Sequence, residues 1–253
     1  MMKSWGRWLA ASPCRWLLPV LAALVAFPKI DLVVSGWFFA DGRFFLRHYE
    51  LFEFVRAAVP PLTLGGMLFA ALLGIAAAIF RESFLGIRPR AATYLLLSLM
   101  IGPGLLANNL FKDHWGRARP FTIVAFGGDR VFTPALVMSD QCAHNCSFVS
   151  GHAALAFWTV AFALLVQPPP WRRRVAVAIA LLYGFLVGFV RVAQGSHFLS
   201  DVVFAAALSI GVAYSLHRLL ILPSHGNERA FRSGLDPPLL PCHPGSQDEG
   251  RPC

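Results

Sequence analysis

Charge is what this chain has least of. Only 14% of its 253 residues are charged and 57% are hydrophobic, whereas a soluble domain carries about a quarter charged residues. The mean hydropathy of +0.59 excludes a soluble globule, and the same shortage of polar residues excludes disorder over most of the length. The 21 Gly and 18 Pro show no period, which removes a collagen-like or low-complexity reading. Acids are scarcer than bases, 13 against 22. No basic stripe is interleaved with aromatics on a polar face, so nucleic acid is not an expected partner, and basic loops between apolar spans account for the surplus. The five Cys are too few and too scattered for a disulfide scaffold. What remains is a membrane protein.

Apolar runs stand where the charge is missing. A helix crosses a ~30 Å hydrocarbon core with about 20 residues. Residues 57–80 and 91–111 meet that length, the second interrupted by Gly102-Pro103-Gly104, which should kink it. Residues 153–171 make a third span, and 175–190 and 202–216 qualify once their flanking polar groups sit at the interface. Residues 16–28 follow Lys3, Arg7 and Arg15, so a cleaved signal peptide competes there. No small-residue cleavage site is evident after Phe27, and the segment is read as an uncleaved first helix. The expectation is an all-α integral membrane bundle of six transmembrane helices. Lys and Arg in the short loops place both termini in the cytoplasm.

Three regions follow from this pass: 1–56, an N-terminal span and an aromatic-rich segment; 57–222, a five-span core; and 223–253, a Pro-, Gly- and charge-rich tail expected to be disordered and cytoplasmic. The aromatic stretch from Trp37 to Phe54 is expected to lie along the interface with its rings at headgroup depth, either as a packing helix or as a gate for lateral lipid entry.

Polar clusters interrupt the apolar background at three places, and the topology puts all of them at the same face. Lys112 to Pro120 lies where the third span exits, Ser147 to His152 precedes the fourth, and Arg191 to Asp201 joins the fifth to the sixth. Ionisable groups converging at span ends mark a functional site. Lys112, Arg119 and Arg191 offer one ammonium and two guanidinium forks. Ser150-Gly151 at a helix start adds backbone N–H groups and a positive dipole end. Together these make a cradle for phosphate. His197 and Asp201 stand four residues apart, on one face if the segment is helical, where a carboxylate can hold the imidazole tautomer. An oriented His against phosphorus reads as a nucleophile. His152, at the mouth, is placed to protonate a leaving alkoxide.

On these residues the chain resembles the type 2 phosphatidic acid phosphatase family, whose site is shared with vanadium haloperoxidases. That family's pattern is K-x6-R-P, then P-S-G-H, then S-R-x5-H-x3-D. Lys112, Arg119 and Pro120 meet the first motif, Ser150, Gly151 and His152 the second, and Arg191, His197 and Asp201 the third. Val149 stands in place of the Pro and Val190 in place of the Ser. Neither change removes a charged or proton-transferring group. The resemblance spans about residues 95–214 and implies metal-independent hydrolysis, with no cofactor, of a lipid phosphate through a phosphohistidine. By that resemblance His197 attacks, Asp201 supports it, and His152 protonates the departing oxygen, while Lys112, Arg119, Arg191, Ser150 and Gly151 bind the phosphate. It also implies a bacterial inner membrane with the site facing the periplasm. The segments 27–31 and 145–152 are most similar to lipid A phosphatases of the family, which remove the 1- or 4′-phosphate. Undecaprenyl diphosphate and phosphatidylglycerophosphate are alternative substrates.

Outside the motifs the readings are plainer. Arg117, Asp113 and His114 sit at variable positions of the first motif and are read as solvated, paired or touching headgroups. His144, His217, His225 and His243 are read as structural or solvated. Cys142 and Cys146 flank His144, but two thiols and one imidazole lack the ligand set of a structural zinc site, and an external loop is oxidising, so a disulfide is expected. A lipid-binding or transport protein would keep the cations but has no need of His197, Asp201 and His152 together.

Overall fold

The computed structural model describes residues 17–83 and 87–222. The tail 223–253, with His225, His243, Cys242 and Cys253, lies outside the described residues, as do Lys3, Arg7, Cys14 and Arg15. Helices dominate: α1 Leu17–Ala26, α2 Lys29–Gly36, α3 Glu50–Phe80, α4 Pro89–His114, α5 Gly151–Leu164, α6 Pro170–Ala193 and α7 Leu199–Leu220. The one sheet among the described residues pairs β1 Phe39–Ala40 with β2 Arg43–Phe44. The chain is an all-helical, multi-pass membrane protein.

Local chemistry sets the ends of these helices. Glu50 and Glu53 occupy the first turn of α3, where negative charge complements the helix dipole. Proline opens α4 and α6 at Pro89 and Pro170, positions whose missing N–H would have no partner in any case. Within α4, residues Met100–Phe111 wind as a wide π-helix around Pro103, and Asn108 Nδ2 donates to the Pro103 carbonyl at 2.7 Å. This widened turn lies where the kink is expected, at Gly102-Pro103-Gly104.

Four helices, α3, α4, α6 and α7, are long and apolar enough to span, or five if α1 and α2 count as one span bent by 96°. Six were expected. The bend falls at Phe27-Pro28, where α1 stops and α2 restarts in a new direction. The fourth expected span shortens to α5 because Pro168, Pro169 and Pro170 follow closely on its end and cannot continue a helix.

Short as it is, α5 is the centre of the bundle, packed against α3, α4, α6 and α7. Ala153, Ala154, Ala156, Phe157, Trp158 and Ala161 are all fully buried along it, and such small residues let helix backbones approach closely. A Cβ on Gly184 of α6 would lie 2.3 Å from the Phe157 ring, so glycine is required there. The buried Trp158 indole donates to Ser98 Oγ at 2.9 Å.

The aromatic segment is not an interfacial helix over its first half. Asp41 and Gly42 take positive φ of 51° and 74°, the geometry of a tight hairpin turn, and β2 turns the Phe44 ring inward among Ile123, Phe126 and Phe198. A Cβ on Gly195 would stand 2.4 Å from that ring. The hairpin therefore lies against the loop that carries the third motif.

Candidate active site

Main-chain hydrogen bonds gather the three polar clusters before any side chain is considered. Cys146 N–H donates to Lys112 O at 3.1 Å, Ser147 N–H to Arg117 O at 2.9 Å, and Ser150 N–H to Asp201 O at 3.2 Å. The first motif is thus laced to the second, and the second to the third. Phe121 N–H donates to Gly195 O at 3.1 Å and closes the ring from first to third. Cys142 and Cys146 are joined by a disulfide with their Cα atoms 5.6 Å apart, one residue before Ser147.

His197 lies in the turn between α6 and α7, 1% exposed. Its Nδ1 is 2.8 Å from the Ser147 carbonyl oxygen and 3.8 Å from Asp201 Oδ2. A carbonyl can only accept, so Nδ1 carries the proton and Nε2 presents a lone pair. The sequence reading gave the tautomer-holding contact to Asp201; the nearer acceptor is Ser147 O, because His197 precedes the helix and does not share a helical face with Asp201. Burial pulls the imidazole down to about 4; the nearby Asp201 carboxylate opposes this, and the charges of Arg191 and Arg119 add to it. The ring is uncharged at neutral pH.

Asp201 is occupied elsewhere. Its Oδ1 accepts from Arg117 at 2.5 Å, and its Oδ2 accepts from Ser147 Oγ at 2.5 Å and from the Phe198 N–H at 2.8 Å. Arg117 in turn is fully buried. It donates to Asp31 Oδ2 at 2.8 Å, Ser200 Oγ at 2.8 Å and the Thr133 carbonyl at 2.8 Å, and stacks 4.3 Å from the Phe198 ring centre. Asp31 also accepts from Ser200 N at 2.9 Å and Ser200 Oγ at 2.5 Å. Of the roles considered for Arg117, pairing is the one present; it touches neither solvent nor headgroups.

The cations of the motifs are less fully paired. Arg119, half-buried, donates to the Asn145 carbonyl at 2.7 Å and to Asn145 Oδ1 at 2.9 Å; desolvation lowers its pKa from the usual guanidinium value. Arg191, 4% exposed, gives Nη1 to Gln194 Oε1 at 2.6 Å, and Gln194 is itself anchored on Glu53 at 2.8 Å. The Nε–H of Arg191 is buried with no partner. An orphaned buried donor costs about 1–3 kcal/mol, which an anion beside it would recover. A Cβ on Gly151 would stand 2.6 Å from Asn108 Oδ1 and 3.5 Å from Lys112 Nζ, so the ammonium of the first motif reaches the start of α5. Ser150 caps that helix, its Oγ accepting from Ala153 N–H at 3.4 Å. His152 follows Gly151 in the first turn, half-buried, and feels the charges of Arg191, His197 and Lys112. Among the described residues no three of His, Cys, Asp or Glu converge as metal ligands would.

Residues 91–221, just over half of the chain, match the model of the PAP2 superfamily. The chain belongs to the PAP2 superfamily. A lipid A 4′-phosphatase of Francisella tularensis subsp. novicida is 37% identical over 197 residues, covering 75% of this chain and 87% of that protein. One of Rhizobium leguminosarum is 33% identical over 226 residues, 83% of this chain and 94% of the relative. In fold the chain is similar to the crystal structure of a transmembrane PAP2 type phosphatidylglycerolphosphate phosphatase from Bacillus subtilis, with a TM-score of 0.50 and 21% identity over 87% of this chain and 94% of that one. This PAP2 protein is a membrane phosphatase.

Sequence reasoning missed Asp31, Ser147, Ser200 and the buried role of Arg117. The signal for Asp31 was present: an isolated acid between apolar neighbours Ile30 and Leu32 in a segment expected near the membrane, a placement that calls for a partner.

Proposed function

We propose that this protein removes the 4′-phosphate of lipid A at the periplasmic face of a bacterial inner membrane, with both termini in the cytoplasm, through a phosphohistidine. The observation that carries this reading is an uncharged His197 with Nε2 unprotonated, held beside a cradle in which the Arg191 Nε–H lacks a partner. The similarity to the Francisella and Rhizobium lipid A 4′-phosphatases supports the choice of substrate and of position.

In the first step Nε2 of His197 attacks phosphorus, a P–N bond forms, and the P–O bond to the lipid breaks. His152, pulled down to about 3 in the free protein by burial and the charges of Arg191, His197 and Lys112, is favoured in its protonated form once the phosphate anion is bound, and gives its proton to the departing alkoxide. A water molecule then attacks the phosphohistidine, passing its proton to His152, and the P–N bond breaks to release inorganic phosphate. Lys112, Arg119, Arg191 and the N–H groups at the start of α5 hold the phosphoryl oxygens throughout. Donors fixed in place before charge develops usually contribute the largest share of the barrier reduction. Lys112→Ala, Arg119→Ala and Arg191→Ala are each expected to lower kcat by about 10²–10³-fold, the effect of removing one oxyanion donor, measured as released phosphate.

The pH profile tests the nucleophile separately. Protonation of His197 removes the attacking lone pair, so the loss of kcat/KM from that group should appear only as the pH drops through about 4. The need for a proton on His152, itself pulled down to about 3, should make kcat/KM fall as the pH rises. An acid limb near 6.5, the ordinary imidazole value, would mean that the titrating group is not a buried His197.

The substrate is tested with protein purified in detergent and offered lipid A, undecaprenyl diphosphate, phosphatidylglycerophosphate and phosphatidic acid. The expected result is preferential phosphate release from lipid A, with mass spectrometry placing the loss at the 4′ position. Loss from the 1 position, or preference for undecaprenyl diphosphate, rejects this substrate. Cysteine labelling from one side of the membrane that reaches positions beside both Arg119 and the N-terminus rejects the orientation.

A further inference from the structure

An apolar cavity of about 370 Å³ opens between α2, α6 and α7 with Phe157 of α5 below. Its walls carry no charged residue, and three of the residues that line it are close neighbours along the chain of active-site residues. Val192 follows Arg191, Leu199 stands two residues after His197, and Val202 follows Asp201. From Val192 back to Phe185, and from Leu199 on to Ala206, each wall descends seven residues, about 10 Å at 1.5 Å per residue. Gly151 to Phe157 covers nearly the same depth on α5. The cavity thus starts at the level of the catalytic turn and reaches about a third of the way into a ~30 Å hydrocarbon core. It has a floor: the Phe157 ring lies over Gly184 and meets Phe185 edge-on at 5.3 Å. Its outer side is open and aromatic, with Trp37, Phe185 and Phe189 exposed by 67%, 53% and 50%.

We propose that this cavity seats the hydrocarbon chain nearest the phosphate of the lipid substrate and so aligns the phosphate ester with His197. The proposal rests on the lipid phosphatase reading above. A polyanion, a sugar or a peptide backbone would find almost no polar partner on these walls, whereas an amphiphile with phosphate in the cradle has its chain starting at the level where the cavity starts. Lipid tails are as apolar as the leucines that would receive them. The cavity therefore supplies position more than affinity, and its loss acts on the chemical step: misplacement of a reacting group by 1 Å can cost about a hundredfold.

The test fills the cavity from two walls with Val34→Trp and Val203→Trp, both outside the catalytic and phosphate-binding residues. Two readouts in detergent are needed: turnover of lipid A, and binding of inorganic phosphate followed by calorimetry. A third readout is photolabelling with a long-chain alkyl phosphate that carries a diazirine a few carbons from the phosphate, which does not depend on lipid A being the substrate. The expected result is a fall of about a hundredfold in kcat/KM for lipid A with phosphate binding unchanged, and wild-type labelling on α6 and α7 at the cavity that both variants lose. Unchanged kcat/KM in both variants, or labelling that maps elsewhere or persists in them, overturns the proposal. Loss of phosphate binding along with turnover would assign the effect to the cradle and also overturn it. A wild-type protein that ignores lipid A but is labelled at the cavity would defeat the substrate reading while supporting this one.

Discussion

Replacing His197 by Ala is expected to reduce phosphate release by at least ~10⁴-fold, the scale on which removal of a nucleophile that works as part of a unit is felt. Nothing nearby can take over. The Ser147 hydroxyl donates to Asp201 at 2.5 Å, and the Ser150 hydroxyl accepts from the Ala153 N–H. His152 stands in the first turn of α5, and proton transfer is the role proposed for it. The structural cost is that of truncating a buried side chain, 1% exposed, and of leaving Ser147 O without its donor, about 2–4 kcal/mol, so insertion and phosphate binding are measured beside turnover. A variant that inserts, binds phosphate and fails to turn over is the expected outcome. The sharper measurement is rapid quenching with substrate labelled in its phosphate, which should yield an acid-labile phosphoprotein in the wild type and none in the variant. Turnover within tenfold of wild type, or label retained on the His197→Ala protein, would remove His197 from the reaction.

How much of this was legible in the sequence depended on how local each feature is. Lys112 and Arg119, Ser150 to His152, and Arg191 to Asp201 are short-range patterns, and the proposed cradle rests on them. The disulfide partners, four residues apart, were equally close at hand. Asp31 and Arg117 pair across 86 positions, and no spacing rule reaches that far. Arg117 stands among surface-like neighbours in the motif, and its burial follows only from the way Cys146 and Ser147 tie the loop down. The i, i+4 spacing of His197 and Asp201 does bring the two within 3.8 Å, but not on one helical face: α7 begins at Leu199, so Asp201 caps the helix start through the Phe198 N–H while His197 Nδ1 lies nearer the Ser147 carbonyl. The six expected spans and the four or five helices long enough to span differ at prolines. Pro28 allows the first segment to bend by 96°, and the Pro168 to Pro170 run follows the early end of α5. The Asp41-Gly42 turn was visible as a hairpin signal but was submerged in a segment judged by its aromatics.

Arg117→Met should be the most destabilising single change outside the hydrophobic core. Among the described residues the guanidinium is the one Arg or Lys side chain that forms a salt bridge with either Asp31 or Asp201, both carboxylates being buried. Removing one partner from a buried ion pair leaves an uncompensated charge and costs about 3–5 kcal/mol. For a domain of this size that is a fall in thermal midpoint of about 10 °C, measurable by tryptophan fluorescence in detergent. Asp31→Asn added to Arg117→Met removes one of the two orphaned carboxylates, so the double variant should recover part of the loss, and the non-additivity in that cycle reads the pairing directly. Arg117→Lys separates charge from shape. An ammonium supplies a point charge, but it cannot serve Asp31, Asp201, Ser200 and Thr133 at once, nor stack flat on Phe198. That variant should therefore stay folded yet lose kcat with little change in KM, because Asp201 and the Ser147 segment that holds His197 shift together. Full additivity in the cycle, or an Arg117→Lys enzyme with wild-type kcat, would show that the buried triad holds the helices without setting the nucleophile.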